Sequence, residues 1–491
     1  MKRTKKIIVI GSGISSLTCA AHLAKAGHQV TILEKNETIG GRARKFTTDS
    51  GFIFDMGPSW YWMPEVFEKF YNEFGYTASD FYELVRLDPS YQIIWEDGQS
   101  DGIPAKKEEL KAWFEKNEVG SGEKLDAFLK DAAYKYDTGM NDLVQKPSLS
   151  ILEFAQKKVI FGVFKLHLFS SFSKFIRKYF QNPKLLKVLE FPILFLGATP
   201  ENTPALYSLM NYADLELGTW YPMKGMHEFI LAFERIAREQ GVEFKFNTAV
   251  QKIISEENKV TAVETSNGTF EADFVVSGAD YKHTEDLLKD KANYSEKYWD
   301  TRTMAPSSLL YYVGVDKVLP KLHHHNLFFD KPFEQHAKEI YETPQWPSDP
   351  LFYLCCPSKT DATVAPEGKE NLFFLIPLAP DLKDDEVKRE DYFQRMVKRV
   401  EAFIGEEFEK DICYKRSFCI DDFKSEYNAY KGNAYGLANT LRQTAILKPR
   451  ITNKKLDNLF YTGQLTVPGP GVPPAIVSGK LVAKQVISKI K

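Results

Sequence analysis

The sequence predicts an α/β fold organised round a parallel sheet to which the chain returns twice, and three stretches predict it. The first runs from an apolar segment at 7–10 through Gly11-Ser12-Gly13-Ile14-Ser15-Ser16 into a helical stretch that closes at Gly27; a second apolar segment, 30–33, then ends at Glu34. The second stretch, 272–279, reads as a buried strand rejoining the first sheet. The third, 458–464, reads as a strand ending in Gly463 and leads to a helix over 475–487. Together they describe a discontinuous, Rossmann-like unit for a dinucleotide.

The first stretch follows the physics of that unit closely. Gly11 allows a tight turn, and Gly13 lets the backbone approach a pyrophosphate. The helix that follows turns free amides and the positive end of its dipole toward phosphates. Ile14, Leu17, Ala21 and Ala24 recur at helical spacing and face the sheet. Ser16 stands where the fingerprint has its third glycine, a position that serves close helix–strand packing. Glu34 falls where an acid binds a ribose hydroxyl, about 20 residues past the glycines.

Gly40-Gly41-Arg42 comes next, then Gly51, Asp55, Gly57, Pro58 and Ser59. The paired glycines give a second close backbone approach, and the arginine sets a cation beside phosphates or a flavin edge. At the far end, Val467-Pro468-Gly469-Pro470-Gly471-Val472-Pro473-Pro474 lies between a strand and the closing helix, whose N-terminus can offer amides to a flavin carbonyl edge. These motifs resemble the extended FAD fingerprint of the glutathione-reductase-type flavoproteins, in the branch with amine oxidases and carotenoid desaturases.

Composition sets bounds on the rest. A chain of 491 residues has room for two or three domains. Its 64 basic and 66 acidic residues nearly balance, which gives no sign of a nucleic-acid partner. Cys19, Cys355, Cys356, Cys413 and Cys419 lack metal or C-x-x-C spacing and fit a reduced, cytoplasmic protein. The basic, then apolar, N-terminus mimics a signal peptide, but the β-α-β unit uses the same residues. No stretch reaches the roughly 18 apolar residues of a spanning helix. The expected order is FAD-binding domain at 1–75, 215–290 and 450–491, a mixed-sheet substrate domain at 76–130 and 291–449, and a helical, membrane-associating or lid region at 131–214. Within the second FAD piece, a helix at 229–238 and short strands at 242–246, 250–254 and 260–264 are expected.

Over nearly its whole length the chain resembles bacterial phytoene-desaturase-type carotenoid desaturases, with further matching stretches at Pro204-Ala205-Leu206-Tyr207-Ser208, Trp220-Tyr221-Pro222-Met223-Lys224-Gly225-Met226 and Tyr435-Gly436-Leu437. The resemblance implies FAD held by Gly11, Gly13, Ser15, Ser16, Glu34, Lys35, Gly41, Arg42, Gly57, Pro58, Ser59, Val250, Gly463, Gln464, Gly471 and Val472, with Val250 reaching the adenosine through its backbone. It implies a carotenoid substrate taken from a membrane, flavin N5 as hydride acceptor, and oxygen or a quinone as final electron acceptor. Phytoene desaturases usually have histidine where Val467 sits and glycine where Pro474 sits; this pattern looks more like the hydroxycarotenoid 3,4-desaturases. The expected reaction is therefore 3,4-desaturation of a 1-hydroxylated carotenoid, with multi-step phytoene desaturation as the alternative. A lipid carrier of the GDP-dissociation-inhibitor type shares the Gly-rich turn but has no use for Gly40-Gly41-Arg42 or the C-terminal flavin segment. An NAD(P)-only dehydrogenase fails on the same two motifs.

Hydride loss beside a polyene is eased by allylic stabilisation, and the cofactor carries the hard step. The site then needs no strong acid–base pair: Asp280, Asp214 and Glu216 read as capping or solvated acids, and no catalytic residue is assigned. Residues 159–180 mix rings such as Phe161, Phe164, Phe172, Phe175 and Phe180 with Lys165, Lys174, Arg177 and Lys178. This stretch is either an anchor on anionic lipid at the inner face of the cell membrane or a core helix with snorkelling lysines. The apolar run 188–196, interrupted by Pro192, lines a hydrocarbon tunnel or fills the core. His323-His324-His325 lacks carboxylate or cysteine neighbours in sequence and reads as a solvated loop, with no metal expected.

Overall fold

The computed structural model describes residues 4–150, 153, 166, 170–440 and 442–490. Its organising sheet has five parallel strands in the order Leu459–Tyr461, Phe274–Ser277, Lys6–Ile10, Gln29–Leu33, Glu243–Lys245. Strands far apart in sequence thus lie side by side, as the three stretches predict. Within strand Lys6–Ile10, residues 7–10 read as an unbroken apolar run because both faces are covered. Ile7 and Val9 join the core shared with the helices, while Ile8 and Ile10 join a second core with Val250, Ile253, Val260 and Val263. Those last residues belong to a separate antiparallel sheet, Val250–Glu256, Lys259–Thr265 and Gly268–Glu271.

Helix Ile14–Lys25 is clamped between His227–Glu239 and Val472–Ile490. The approach to the last helix is close: a Cβ at Gly479 would run into the Ser15 carbonyl and lie 2.8 Å from Thr18 Cβ. That helix starts at Val472, three residues before the sequence predicts. Pro473 and Pro474 occupy its first turn, where a missing N–H breaks no helical hydrogen bond.

A mixed seven-stranded sheet forms the other half. Its order is Ile412–Phe418, Ser307–Val315, Glu370–Leu378, Phe352–Cys355, His325–Phe329, Tyr91–Trp95, Ser100–Ile103. Only His325–Phe329 and Tyr91–Trp95 run parallel; the other neighbours are antiparallel.

The structure decides between two readings of one stretch, over its described part, and corrects the reading of another. Of the basic, aromatic stretch 159–180, residues 159–165 and 167–169 lie outside the described residues. The remainder is core: Phe172, Phe175, Ile176 and Phe180 are buried, with Phe175 and Phe180 packed on Phe128, and Phe180 on Phe114 as well. The rings face helices Lys107–Asn117 and Ser121–Thr138, and only Lys174, Arg177 and Lys178 reach solvent. The histidine run is not a solvated loop either. His324 and His325 are 6% and 0% exposed, because His325 lies inside the seven-stranded sheet beside Tyr91–Trp95 and Phe352–Cys355. In the run 188–196, Val188, Leu189 and Ile193 are buried; Pro192 falls in the 3-10 turn Phe191–Leu196 that follows helix Pro183–Glu190. Among the described residues, no helix is long and apolar enough to cross a membrane.

Candidate cofactor and substrate site

The nucleotide end is built by backbone. The Gly11 amide donates to Leu33 O at 2.8 Å, which ties the first turn to the end of the second strand, and its φ of +84° is a left-handed conformation that suits glycine. Glu34 is then held by three donors. Ser12 N and Ser12 Oγ donate to its Oε2 at 2.8 and 2.7 Å, and Asn36 N donates to its Oε1 at 2.9 Å. A carboxylate has about four lone-pair sites, so this one keeps acceptor capacity for a hydroxyl. Gly41 lies against Gly13, where a Cβ would stand 3.3 Å from Gly13 Cα.

These residues open on a cavity of about 480 Å³ that extends from the five-stranded sheet to the seven-stranded one. Of the residues singled out in the sequence, Gly11, Gly13, Ser15, Glu34, Lys35, Gly41, Arg42, Gly57, Pro58, Ser59, Gly463, Gln464, Gly471 and Val472 line it. Ser16 and Val250 do not. Ser16 has a packing role: a Cβ on Gly278 would collide with Ser16 Oγ, so glycine at the end of the neighbouring strand makes room for serine in the helix. Val250 opens the separate antiparallel sheet.

Arg42 carries the charge of this end. Its Nη2 donates to Asn433 O at 3.3 Å and its guanidinium lies 5.2 Å over the Tyr427 ring. Burial lowers its pKa while nearby Asp280 raises it. Its Nε is buried and makes no hydrogen bond within the chain. An unsatisfied buried donor costs about 1–3 kcal/mol, so this orphan fits an acceptor such as a phosphate or a flavin carbonyl. Asp280 lines the cavity but is committed as a helix cap. It accepts from Lys282 N and His283 N on one oxygen and from Tyr430 N on the other, and burial pushes it above the ordinary carboxylate range. Asp214 is outside the lining, bonded to Tyr91 Oη and pushed up by burial to about 7. Glu216 pairs with Lys107.

The opposite end is apolar. Leu310, Leu327, Phe329, Phe352, Phe373 and Leu375 come from strands of the seven-stranded sheet, and Phe191 comes from the 188–196 run. Among the described lining residues, the carboxylates are Glu34, Asp280 and Glu426, all beside the nucleotide motifs or paired with Arg44. His336 is the one imidazole in that wall, and both its nitrogens are used: Nδ1 accepts from Leu351 N at 3.0 Å, and Nε2 lies 2.9 Å from Pro377 O. Burial lowers it to about 4, so it stays neutral.

Sequence reasoning missed Ser12, Asn36, Tyr427 and the part of this apolar wall that the sheet strands supply. Tyr427 lies 385 positions from Arg42, so no local signal joins them. It also missed Lys448 and Asn439, which sit behind Gly469. Lys448 Nζ and Asn439 Oδ1 are buried without hydrogen bonds, and burial lowers Lys448 to about 7.

Comparison with known proteins agrees with this geometry. Residues 14–487 match the family described as flavin containing amine oxidoreductase. A carotenoid 3,4-desaturase of Haloarcula japonica is 39% identical over 488 residues, covering 99% of this chain and 98% of that one. A zeta-carotene-forming phytoene desaturase of Myxococcus xanthus is 30% identical over 492 residues, covering 99% and 94%. Among solved structures, putrescine oxidase bound to putrescine superposes with a TM-score of 0.62 at 13% identity, covering 99% of both chains, a likeness of fold alone.

Proposed function

We propose a function from the premise that this chain belongs to the flavin-containing amine oxidoreductase family, as an FAD-dependent oxidoreductase among its carotenoid desaturases. The reaction is introduction of a C=C bond next to a polyene, by 3,4-desaturation of a 1-hydroxylated carotenoid. The observation that carries it is the two-ended cavity, polar where a dinucleotide would lie and apolar where a hydrocarbon would. FAD, when bound, supplies the hydride acceptor at N5.

The chain's own residues bind, orient and exclude water. The glycines at 11, 13 and 41 let backbone reach phosphates, Arg42 supplies the buried cation, and Glu34 keeps a lone pair for a ribose hydroxyl. The helix starting at Val472 brings its N-terminus to the cavity, where Pro473 and Pro474 offer no N–H. Phe329, Phe352 and Leu375 make a dry wall for the substrate chain. No carboxylate stands there among the described residues, which suits a reaction whose developing cation is stabilised by the substrate's own conjugation. The same absence disfavours chemistry that needs a strong base.

The protein works peripherally on the inner face of the cell membrane, and electrons leave for oxygen or a quinone. A water-insoluble substrate and the exposed Lys174 and Lys178 support the membrane part. Expression in carotenoid-producing cells, with products identified chromatographically, tests the reaction. A new 3,4 double bond on a hydroxycarotenoid is expected. New double bonds on phytoene with none on hydroxycarotenoids would replace it by phytoene desaturation, a reading the Myxococcus relative supports. Failure of the purified protein to show flavin bands after incubation with FAD would favour a lipid carrier.

A further inference from the structure

The histidine run forms a polar cluster outside the cavity already described. His325 opens the strand His325–Phe329, and Cys355, the last residue of Phe352–Cys355, is its register partner. His324, His325 and Cys355 are all buried, and one ligand atom from each lies within 4.8 Å of the others. The Nδ1 atoms fix the two rings, lying 2.7 Å from Thr360 Oγ1 and 2.6 Å from Tyr353 Oη. Both Nε2 atoms are buried and make no hydrogen bond. Each such orphan costs about 1–3 kcal/mol, and Cys355 Sγ lies 3.7 Å from His325 Nδ1.

Space for a small guest exists. A cavity of about 20 Å³, the size of a single water or ion, is lined by Asp55, Tyr221, His324, Cys355 and Asn371, with His325 outside that lining. We propose that His324, His325 and Cys355 bind a zinc ion, with the Asp55 carboxylate beside it balancing the charge. Two imidazoles and a thiolate are a donor set zinc favours. Charge decides the valence: a dication, one thiolate and one carboxylate sum to zero, which a buried site requires. Both imidazoles are kept neutral by burial, His324 at about 3, so their lone pairs are free. Burial holds the Cys355 thiol at about 12 without metal. Binding therefore forms two Zn–N bonds and one Zn–S bond and releases the thiol proton to solvent. Zn–N of about 2.0–2.1 Å and Zn–S of about 2.3 Å put tetrahedral ligands roughly 3.4–3.7 Å apart, so side-chain rotation closes the cluster by about an ångström.

The role is positional. His325 stacks on Trp60 at 4.0 Å between ring centroids and 11° between planes. Trp60 and its neighbour Ser59 line the large cavity, whereas His324, His325 and Cys355 do not. A metal here would fix the cavity floor from behind without touching substrate.

The flavin-loaded protein, equilibrated with zinc alone and dialysed, is assayed by elemental mass spectrometry and by X-ray absorption at the zinc edge. One zinc per chain is expected, with one sulfur and at least two imidazole nitrogens in its shell. Cys355→Ser and His324→Gln should each weaken retention at least about 100-fold while flavin absorbance persists. Loss of all zinc on dialysis, a shell without sulfur, or equal retention by Cys355→Ser would overturn the site. The absorption spectrum of the unmutated protein decides the matter even if a variant fails to fold.

Discussion

The nucleotide end of the cavity and the packed side chains behind Gly469 treat buried polar groups in opposite ways. At the nucleotide end, Glu34 is nearly inaccessible, yet three donors from residues 12 and 36 hold it. Behind Gly469, Lys448 and Asn439 are equally buried and stand alone. The first arrangement is made by two backbone amides and the Ser12 hydroxyl, all near in sequence, and is complete as soon as the β-α-β unit forms. The second is made by side chains that tertiary packing happens to enclose, and it costs stability.

Lys448→Met tests that contrast with the largest expected effect. Lys448 is lowered to about 7 from an ordinary 10.5. Between those values the unfolded chain binds a proton that the folded chain lacks. Wild-type stability therefore rises with pH across that window, by about 1.4 kcal/mol per unit. The methionine variant should lose this slope and gain roughly 3–5 kcal/mol at pH 6, read from urea midpoints. A flat wild-type response would mean that Lys448 has a partner in the loaded protein.

Independence of the two ends is tested next. Arg42→Ala should weaken FAD binding by about 30–150-fold, the worth of a charged hydrogen bond of about 2–3 kcal/mol, in a fluorescence titration. Phe329→Ala, in the apolar wall, should raise KM for the carotenoid while FAD affinity stays within about twofold. Equal loss of flavin in both variants would erase the distinction.

The packing partnership of Ser16 and Gly278 has a sharper signature. Gly278→Ala should destabilise by about 1–3 kcal/mol through overpacking, and Ser16→Gly should restore most of it. A double-mutant cycle with no coupling would contradict the collision seen at that contact. The smallest effect is expected at the membrane: Lys174→Gln should weaken binding to anionic vesicles about fivefold, near 1 kcal/mol for one surface lysine, and neutral vesicles should not respond. Sedimentation that is unchanged for both vesicle types would remove the membrane association.

What could be read beforehand follows the same division. Gly11, Gly13, Glu34 and Gly41 were legible because a phosphate-binding turn needs particular backbone freedom at fixed spacing. The apolar wall was not, since Leu310, Phe329, Phe352 and Leu375 are spread over four strands that meet only in the sheet. The stretch 159–180 reads equally as a lipid anchor or a core helix because composition does not say what covers a ring; Phe114 and Phe128 cover Phe175 and Phe180.

By itself the sequence determined the strand–turn–helix chemistry that opens on a dinucleotide, since consecutive backbone groups make that site and consecutive residues encode it. Only the tertiary structure decided the rest. It set Gly278 opposite Ser16, laid Tyr427 under Arg42, and buried His324 and His325 beside a cysteine 30 positions away. Those contacts depend on which side chains different strands and helices bring together, and no local pattern records that.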